Sequence, residues 1–200
     1  MISFVRHGQT AHNREGRLQG RADLELSPRG LEQVTRLATR LASTEIAQVY
    51  SSPLRRAQQT AQAIAAVAGC DVQTDDRLIE LDYGDWDGRP LGDISREDWA
   101  AWRADPDFTP PGGESLAAVT ARVDAFCRER LASTGTEPAA ITIAVSHVSP
   151  IKAAVCWALG IDERATWQMQ LGLASITSVG ARPNGDGYLA AFNDCAHLDA

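Results

Sequence analysis

The sequence predicts an α/β fold with a mostly parallel central sheet, and two observations carry this prediction. The first third of the chain alternates short β-rich runs with amphipathic helical segments, which is typical of a largely parallel sheet. Further on, "AAITIAVSH" (139–147) is continuously apolar almost to its end, as a strand buried on both faces would be. With 200 residues, 44% of them hydrophobic, the chain is long enough for one domain, 1–200, and short for two.

The first two elements are predicted to be a strand and a helix. The apolar run "SFVRHG" (3–8) stops at two polar side chains, which indicates a strand that presents them at its carboxyl end. In "LSPRGLEQVTRLATRL" (26–41) the apolar residues recur on one helical face. Ser27 is the expected N-cap and Pro28 the first helical residue.

A second strand and helix follow in the same order. The short run "IAQVYSS" (46–52) is rich in β-forming residues, and the helix "PLRRAQQTAQAIAAVAG" (53–69) comes directly after it. Pro53 is expected to open this helix and Gly69 to close it. Residues 70–74 could add a short edge strand.

The middle of the chain is predicted to contain loops and two helices. Residues 76–93 are rich in Asp and Gly without a clear period, which is typical of a loop, whereas "ISREDWAAWRA" (94–104) has a helical pattern. A Pro/Gly-rich loop at 105–115 leads into a long amphipathic helix, whose apolar face is marked by Leu116, Val119, Val123 and Phe126.

The last elements are a strand, a helix and a hairpin. The apolar strand 139–147 runs directly into "PIKAAVCWALG" (150–160), which is predicted to be a helix. Strands at 173–182 and 187–193 flank the turn "PNGDG", so we expect a hairpin here. The apolar surface of this hairpin and its exposed edge could support a homodimer.

The composition limits the partners. A net charge of -7 and a pI near 5.1 argue against nucleic acid and against an anionic membrane, because both are bound through large basic surfaces. Any bound anion should therefore occupy a local pocket. No apolar stretch approaches the length of a membrane span, and polar residues interrupt the N-terminus where a signal peptide needs its apolar core. We expect a cytoplasmic protein.

The cysteines give no sign of a metal or disulfide framework. They are widely spaced and form no CxxC pair, so reduced thiols are the simpler interpretation. Metal-binding spacings such as HExxH are also missing from the sequence. The four cysteines are Cys70, Cys127, Cys156 and Cys195.

Three strand ends carry cationic or imidazole side chains. His7 and His147 each end an apolar strand, and parallel strands present their carboxyl ends at one edge of the sheet. Arg55 and Arg56 follow the third strand at the start of a helix. Guanidinium groups bind phosphate oxygens in pairs of hydrogen bonds, and helix N-termini add partial positive charge. The sequence therefore predicts a phosphate site.

These residues resemble the histidine phosphatase superfamily, also called the phosphoglycerate mutase-like proteins. The resemblance covers nearly the whole chain, and its phosphatase branch, including the α-ribazole phosphatases, is the most similar. It implies a three-layer α/β/α sandwich. The motifs, in family order, are "RHGQTAHN" (6–13), "LQGRADLELSPRGLEQ" (18–33), "SSPLRRAQQTA" (51–61), "RLIELDYGDWDG" (77–88), "VSHVSPIK" (145–152) and "FNDCAHL" (192–198).

The resemblance implies a covalent mechanism centred on the first histidine. His7 would attack phosphorus through one neutral ring nitrogen while the other donates to a backbone carbonyl. Arg6, Arg56 and His147 would hold the phosphoryl oxygens and neutralise their charge. Asn13 would add a neutral donor. No metal ion or cofactor is required.

An acid and a backbone donor complete the implied site. Glu80 would protonate the leaving oxygen and then deprotonate the attacking water, while Asp82 lies close enough to keep that assignment open. Many relatives have two glycines after the second histidine, whereas this chain has Val148 and Ser149. The Val148 N–H can still donate to phosphate, so the difference bears on specificity more than on activity.

Other residues receive a structural interpretation. His12 and His197 are expected to be ordinary hydrogen-bonding residues, and Arg55 a solvated or ion-paired surface residue. Tryptophans cluster in a segment at about 82–114, which we expect to form a lid that selects the substrate. Pinning this lid to the sheet is the favoured role of the aromatic residues, and stacking on a ligand is the alternative. The aromatic residues of this segment are Trp86, Trp99, Trp102 and Phe108.

Three functions remain open from the sequence. The first is a metal-independent phosphomonoesterase that acts on a small phosphorylated metabolite. The second is a phosphoglycerate mutase, although mutases of this family are generally longer. The third is a binding protein that has lost turnover, and it is disfavoured because every expected site position is filled.

Overall fold

The structure is a computed structural model that describes residues 1–132 and 140–199. It contains a six-stranded sheet in the order β3-β2-β4-β1-β5-β6. The strands are β1 (Ile2–Arg6), β2 (Ile46–Ser51), β3 (Val72–Thr74), β4 (Ile141–Ser146), β5 (Ile176–Ala181) and β6 (Gly187–Asp194).

Most of the sheet is parallel, as predicted. β1 and β2 both pair in parallel with β4, and the short edge strand β3 pairs in parallel with β2. β5 runs antiparallel to β1, and β6 returns beside it as the second strand of the predicted hairpin. The carboxyl ends of β1, β2 and β4 therefore lie side by side at one edge of the sheet.

Helices cover both faces of the sheet and confirm the three-layer architecture. Because successive side chains of a strand point to opposite faces, Phe4 packs in the core beneath α5 and α6, while its neighbour Val5 packs in the core beneath α2 and α3. The helices are α1 (Ala11–Glu15), α2 (Pro28–Leu41), α3 (Arg55–Ala68), α4 (Arg96–Ala104), α5 (Leu116–Ala132) and α6 (Val148–Leu159). Within the described residues, no helix is long and apolar enough to cross a membrane.

The predicted helix ends were partly wrong. α3 begins at Arg55, with Leu54 as N-cap, rather than at Pro53. α6 begins at Val148 rather than at Pro150, which therefore lies in its first turn. Proline is tolerated there because the N–H that it lacks would have no acceptor within the helix. Ala139, the expected start of the fourth strand, lies outside the described residues.

The sequence analysis also missed a short helix after the first strand. α1 has a capping box, in which the Thr10 side chain accepts from the Asn13 N–H and the Asn13 side chain accepts from the Thr10 N–H. Gly16 ends it in the left-handed conformation. With only five residues, this helix shows no periodic pattern from which it could be predicted.

Candidate active site

The predicted site residues meet at the carboxyl ends of the three parallel strands. Arg6 is the last residue of β1 and His7 follows it, while His147 follows β4 and serves as the N-cap of α6. The His7 and His147 rings lie with their centroids 5.0 Å apart. Arg56 reaches this point from the first turn of α3 and is fully buried.

His7 has one ring nitrogen available for chemistry. Its Nδ1 lies 2.7 Å from the carbonyl oxygen of Gly8, and since a carbonyl only accepts, Nδ1 carries the proton. Burial and the nearby charges of Arg56 and Arg6 hold the pKa of His7 well below its ordinary value. The ring is therefore neutral, and Nε2 keeps its lone pair as a nucleophile requires.

A close backbone approach fixes the loop that carries His7. A Cβ atom on Gly8 would lie 2.8 Å from the Gly30 carbonyl oxygen, and one on Gly30 would lie 2.2 Å from the Gln9 carbonyl oxygen. The Gly8 N–H also donates to the Thr60 hydroxyl at 3.2 Å. The two glycines thus let α2 pack directly against the loop that follows the nucleophile.

His147 has the opposite tautomer. Its Nδ1 accepts from Nε of Arg56 at 3.2 Å, so its proton lies on Nε2, which donates to the Ser52 hydroxyl at 2.8 Å. Burial, Arg56 and His7 hold the pKa of His147 well below its ordinary value. Nε2–H is the only N–H group of the neutral His147 ring, and in this structure it donates to Ser52.

The two arginines that follow β2 have different surroundings, as predicted. Arg56 donates from its terminal nitrogens to the carbonyl oxygens of Ala22 and Gly20, each at 2.7 Å, so the guanidinium is held in one orientation. Burial lowers the pKa of Arg56 to about 10, which keeps it charged at neutral pH. Arg55 is exposed and forms an ion pair with Glu25.

Two further donors lie beside this cluster. Arg6 donates through one terminal nitrogen to the Leu171 carbonyl at 2.6 Å, and its buried Nε has no partner among the described residues. The Asn13 side-chain oxygen is taken up by the cap of α1, which leaves the amide group as its donor. Arg6 and Asn13 also line a cavity of about 480 Å³.

Glu80 is buried against the N-terminus of α6. Its carboxylate accepts from the N–H groups of Val148 at 3.0 Å, Ser149 at 3.1 Å and Leu81 at 2.8 Å. The N–H of Val148, predicted to donate to phosphate, therefore donates to Glu80 in this structure. Asp82 instead accepts from the Gly84 N–H and forms an ion pair with Arg21, so the two acids have different surroundings.

The cavity of about 480 Å³ is lined in part by Arg6 and Val148, the chain neighbours of His7 and His147. It is larger than a phosphate group needs, and two of the predicted phosphate ligands, Arg6 and Asn13, lie in its wall. Ser149, Lys152 and Gln19 contribute polar groups, and most of the remaining wall is apolar and aromatic. Apolar and aromatic residues here include Leu18, Leu81, Tyr83, Leu91, Leu116 and Leu173.

Tryptophans form one side of the cavity. Trp99 and Trp102 of α4 stack at a ring distance of 5.4 Å, and Trp167 packs edge-on against Trp102 at 5.0 Å. Trp86 packs behind Trp102 and is buried without reaching the cavity. The two interpretations offered for the predicted cluster therefore apply to different members. Trp86 and Phe108 pack against each other and do not line the cavity, whereas Trp99 and Trp102 do. Trp167, which the sequence analysis did not include, joins them in the cavity wall.

Sequence reasoning missed three residues near the site. Ser52 at the end of β2 holds His147, and Gln19 and Lys152 line the cavity. A signal existed for Lys152, which is the chain's only lysine among 19 cationic residues. In the part of the chain that the structure describes, no group of three or more His, Cys, Asp or Glu residues could hold a metal ion.

Comparison with known proteins identifies one family over almost the whole chain. The profile of the histidine phosphatase superfamily (branch 1) matches residues 2–194. The native structure of mycobacterial glucosyl-3-phosphoglycerate phosphatase superposes with a TM-score of 0.88 at 31% identity, covering 96% of this chain and 97% of that one. The family and the fold class predicted from the sequence are confirmed.

Curated relatives include both phosphatases and mutases. Phosphoserine phosphatase 1 of Hydrogenobacter thermophilus is 35% identical over 182 residues, which are 89% of this chain and 85% of the relative. A probable phosphoglycerate mutase GpmB of Cronobacter sakazakii is 33% identical over 208 residues, covering 100% of this chain and 95% of the relative. A bifunctional protein of Mycobacterium tuberculosis is 36% identical over 201 residues, and 98% of this chain spans only 54% of its length.

Proposed function

This chain belongs to the histidine phosphatase superfamily (branch 1), and from that premise we propose that it hydrolyses a small phosphorylated metabolite through a phosphohistidine formed on His7. The observation that carries the proposal is the neutral His7 ring, whose Nε2 is available while Nδ1–H is held by Gly8. The relatives named phosphoserine phosphatase and glucosyl-3-phosphoglycerate phosphatase support the phosphatase class.

In the first step Nε2 of His7 attacks phosphorus. An N–P bond forms, and the P–O bond to the leaving group breaks with its electron pair passing to oxygen. Arg6, Arg56 and the Nε2–H of His147 bind the phosphoryl oxygens, on which negative charge is concentrated. Glu80, in its protonated form, gives a proton to the leaving oxygen.

In the second step water attacks the phosphohistidine. A new P–O bond forms, the N–P bond breaks, and its electron pair returns to Nε2 of His7. Glu80 accepts the water proton, so both His7 and Glu80 regain their starting states. We propose that bound phosphate takes the Val148 N–H from Glu80, which frees one carboxyl oxygen for these transfers.

The positive charges of two arginines explain why the proposed reaction needs no metal ion. Arg6 and Arg56 place two positive charges beside the two neutral histidines, which is the role that divalent cations have in other phosphoryl-transfer sites. We further propose that the segment 82–114 acts as a lid. Its support is that Leu91, Trp99 and Trp102 of this segment line the cavity.

The test is hydrolysis of p-nitrophenyl phosphate in excess EDTA by the wild type and by His7→Ala. We expect metal-independent phosphate release that falls at least about 10³-fold in the variant, because the nucleophile is removed. Mass spectrometry of the acid-labile adduct should locate one phosphoryl group on His7. Unchanged hydrolysis in His7→Ala would remove the nucleophile assignment.

The mutase is the second candidate, and the similarity to GpmB favours it. A mutase would return the phosphoryl group from His7 to a bound sugar acid before water reached it. Activity that required 2,3-bisphosphoglycerate priming, with little hydrolysis of other esters, would establish the mutase. A binding protein without turnover is the third candidate, and it would show neither activity.

We also propose a cytoplasmic location, which the four unpaired thiols support. A homodimer remains a prediction, supported by the half-exposed Phe192 on the edge strand β6. Neither property enters the proposed mechanism.

A further inference from the structure

We propose that Lys152 binds a second anionic group of the substrate, so that the preferred substrates are phosphate monoesters that also carry a carboxylate or a second phosphate. The inference rests on the proposed function and concerns its specificity. It follows from the position of Lys152, the lack of a partner for its ammonium group among the described residues, and the hydrogen-bonding character of the cavity.

The position of Lys152 suits a second anion. It lies in α6, three and four residues after Ser149 and Val148, whose N–H groups hold Glu80. Residues at these spacings share one helical face, and one turn separates them by roughly 6 Å along the axis. That span matches the distance between two anionic groups of a small metabolite.

Lys152 has no acceptor among the residues that the structure describes. No described residue forms a hydrogen bond or an ion pair with its ammonium group, although the side chain is partly buried and lines the cavity. Burial lowers the pKa of Lys152, and the charge of Glu80 opposes that shift. A partly buried cation without a partner gains most from an anionic ligand, since its own hydration is already reduced.

The other unsatisfied polar atoms around the cavity are donors as well. Arg6 Nε, Gln19 Nε2, Trp102 Nε1 and Trp167 Nε1 are buried without a hydrogen-bond partner among the described residues, and all four residues line the cavity. Each of these atoms can donate and none can accept. They are shielded from solvent, so they can donate to a ligand's acceptor oxygens only where the side chains turn toward the cavity.

Arginine is the cation everywhere else in the chain. The 18 other cationic side chains are all arginine, and several form ion pairs at the surface, such as Arg29 with Glu32. Lysine presents a compact charge with three rotatable donors, which suits a small anion at the end of a partly apolar cavity. The tryptophans that line the same cavity reduce its polarity, which strengthens the attraction between the ammonium group and an anion.

The experiment compares matched phosphate esters as competitors of p-nitrophenyl phosphate hydrolysis. The pairs are O-phosphoserine with O-phosphoethanolamine, 3-phosphoglycerate with glycerol 3-phosphate, and fructose 1,6-bisphosphate with fructose 6-phosphate. Within each pair only the first member carries the additional anionic group in question. The inhibition constant of each compound is measured for the wild type, Lys152→Met, Lys152→Arg and Arg29→Met.

We expect the wild type to bind the first member of at least one pair about tenfold more tightly than the second. Lys152→Met should lose most of that preference and bring the ratio to about 1, because a hydrogen bond to a charged group usually contributes about a tenfold difference in affinity. Lys152→Arg should retain part of the ratio. Arg29→Met, which removes an equal charge far from the cavity, should keep the wild-type ratio. The pair that responds identifies the second group as carboxylate or phosphate.

Equal ratios in the wild type and Lys152→Met would overturn the inference, even if the protein is an active phosphatase. Failure of the proposed function gives a different result, because the wild type would then not hydrolyse p-nitrophenyl phosphate at all. In that case calorimetry gives the dissociation constants of both members of each pair, from which the same ratios are calculated for the wild type and Lys152→Met. A difference between these ratios still decides the inference.

Chemical labelling gives an independent measurement. Lys152 is the only lysine, so reductive methylation modifies a single side-chain amine, which mass spectrometry quantifies. A ligand that binds Lys152 should slow this labelling at least severalfold, while its matched partner, at equal occupancy, should not. Equal protection by both members would contradict contact between Lys152 and the additional anion.

Discussion

At the scale of single residues, hydrogen-bond partners assign different roles to similar side chains. His7 and His147 are both buried and neutral, yet a carbonyl partner places the proton of His7 on Nδ1, whereas Arg56 forces the proton of His147 onto Nε2. One ring therefore offers a lone pair and the other a donor. Glu80 accepts from three N–H groups, two of which belong to the residues that directly follow His147.

Glu80→Gln should separate the two steps of the reaction. The amide cannot transfer protons, so steady-state turnover should fall about 10²- to 10⁴-fold. With p-nitrophenyl phosphate, whose leaving group departs without a proton, a burst of about one product per site should remain while the phosphohistidine accumulates. Rapid-quench kinetics measures this burst.

Asp82→Asn is the matched control, because Asp82 is ion-paired with Arg21 outside the cavity. Its turnover should remain within about tenfold of the wild type. A larger loss in Asp82→Asn than in Glu80→Gln would transfer the acid–base role to Asp82.

At the scale of elements, α2 supports the nucleophile loop through a contact that only glycine permits. Gly30 lies in the first turn of α2, and its missing side chain leaves room for the backbone of Gln9. The N-cap Ser27 donates from its hydroxyl to the Gln9 side chain, which adds a second link between the same two segments. The start of α2 is thus part of the frame that orients His7.

Gly30→Ala should destabilise the protein although alanine favours helices. The new Cβ would lie 2.2 Å from the Gln9 carbonyl oxygen, so the loop or the helix must move. We expect a net loss of about 1–3 kcal/mol in the free energy of unfolding, since this clash outweighs a helix-propensity gain of about 1 kcal/mol. Urea denaturation measures the loss.

Gly92→Ala provides the control for this substitution. A Cβ at Gly92 would meet no heavy atom within 4 Å, and its φ angle is not in the left-handed region. Its unfolding free energy should therefore stay within about 0.5 kcal/mol of the wild type. Equal stability of the two variants would show that the contact between α2 and the loop tolerates a methyl group.

At the scale of the whole molecule, two neutral histidines buried between two arginines make stability depend on pH. The pKa values of His7 and His147 lie well below the ordinary value of 6.5 in the folded protein and return to about that value on unfolding. Below that pH the unfolded chain binds more protons than the folded one. The contribution of these histidines to the free energy of unfolding is therefore fully present above about pH 6.5, and it decreases as the pH falls below that value.

The free energy of unfolding should fall by up to about 1.4 kcal/mol per pH unit for each of these histidines between roughly pH 6 and pH 4.5. A His7→Gln/His147→Gln variant should show a shallower slope, because glutamine does not titrate. Urea denaturation at a series of pH values measures both slopes. Parallel curves for the two proteins would mean that these rings do not carry the acid sensitivity.

The sequence by itself determined the sheet, most helices and the placement of Arg6, His7 and His147 at one edge of the sheet. Apolar runs that end at Arg6, His7 and His147 mark the carboxyl ends of parallel strands, and these ends meet wherever such a sheet forms. Helix starts at prolines were less certain, because a proline fits several positions of a first turn, as α6 shows. Five-residue α1 is too short to show a period.

Only the tertiary structure decided which groups face each other across these elements. Glu80 and Val148 are 68 residues apart, and their hydrogen bond depends on how the loop after β3 packs on α6. The placement of Trp167 and Lys152 in one cavity likewise joins segments with no common sequence pattern. Local sequence patterns report burial and periodicity, whereas contacts between distant segments arise from the packing of the whole chain. The hydrogen-bond partners of the site residues, the tautomers of the two histidines and the residues of the cavity wall therefore became known only from the fold.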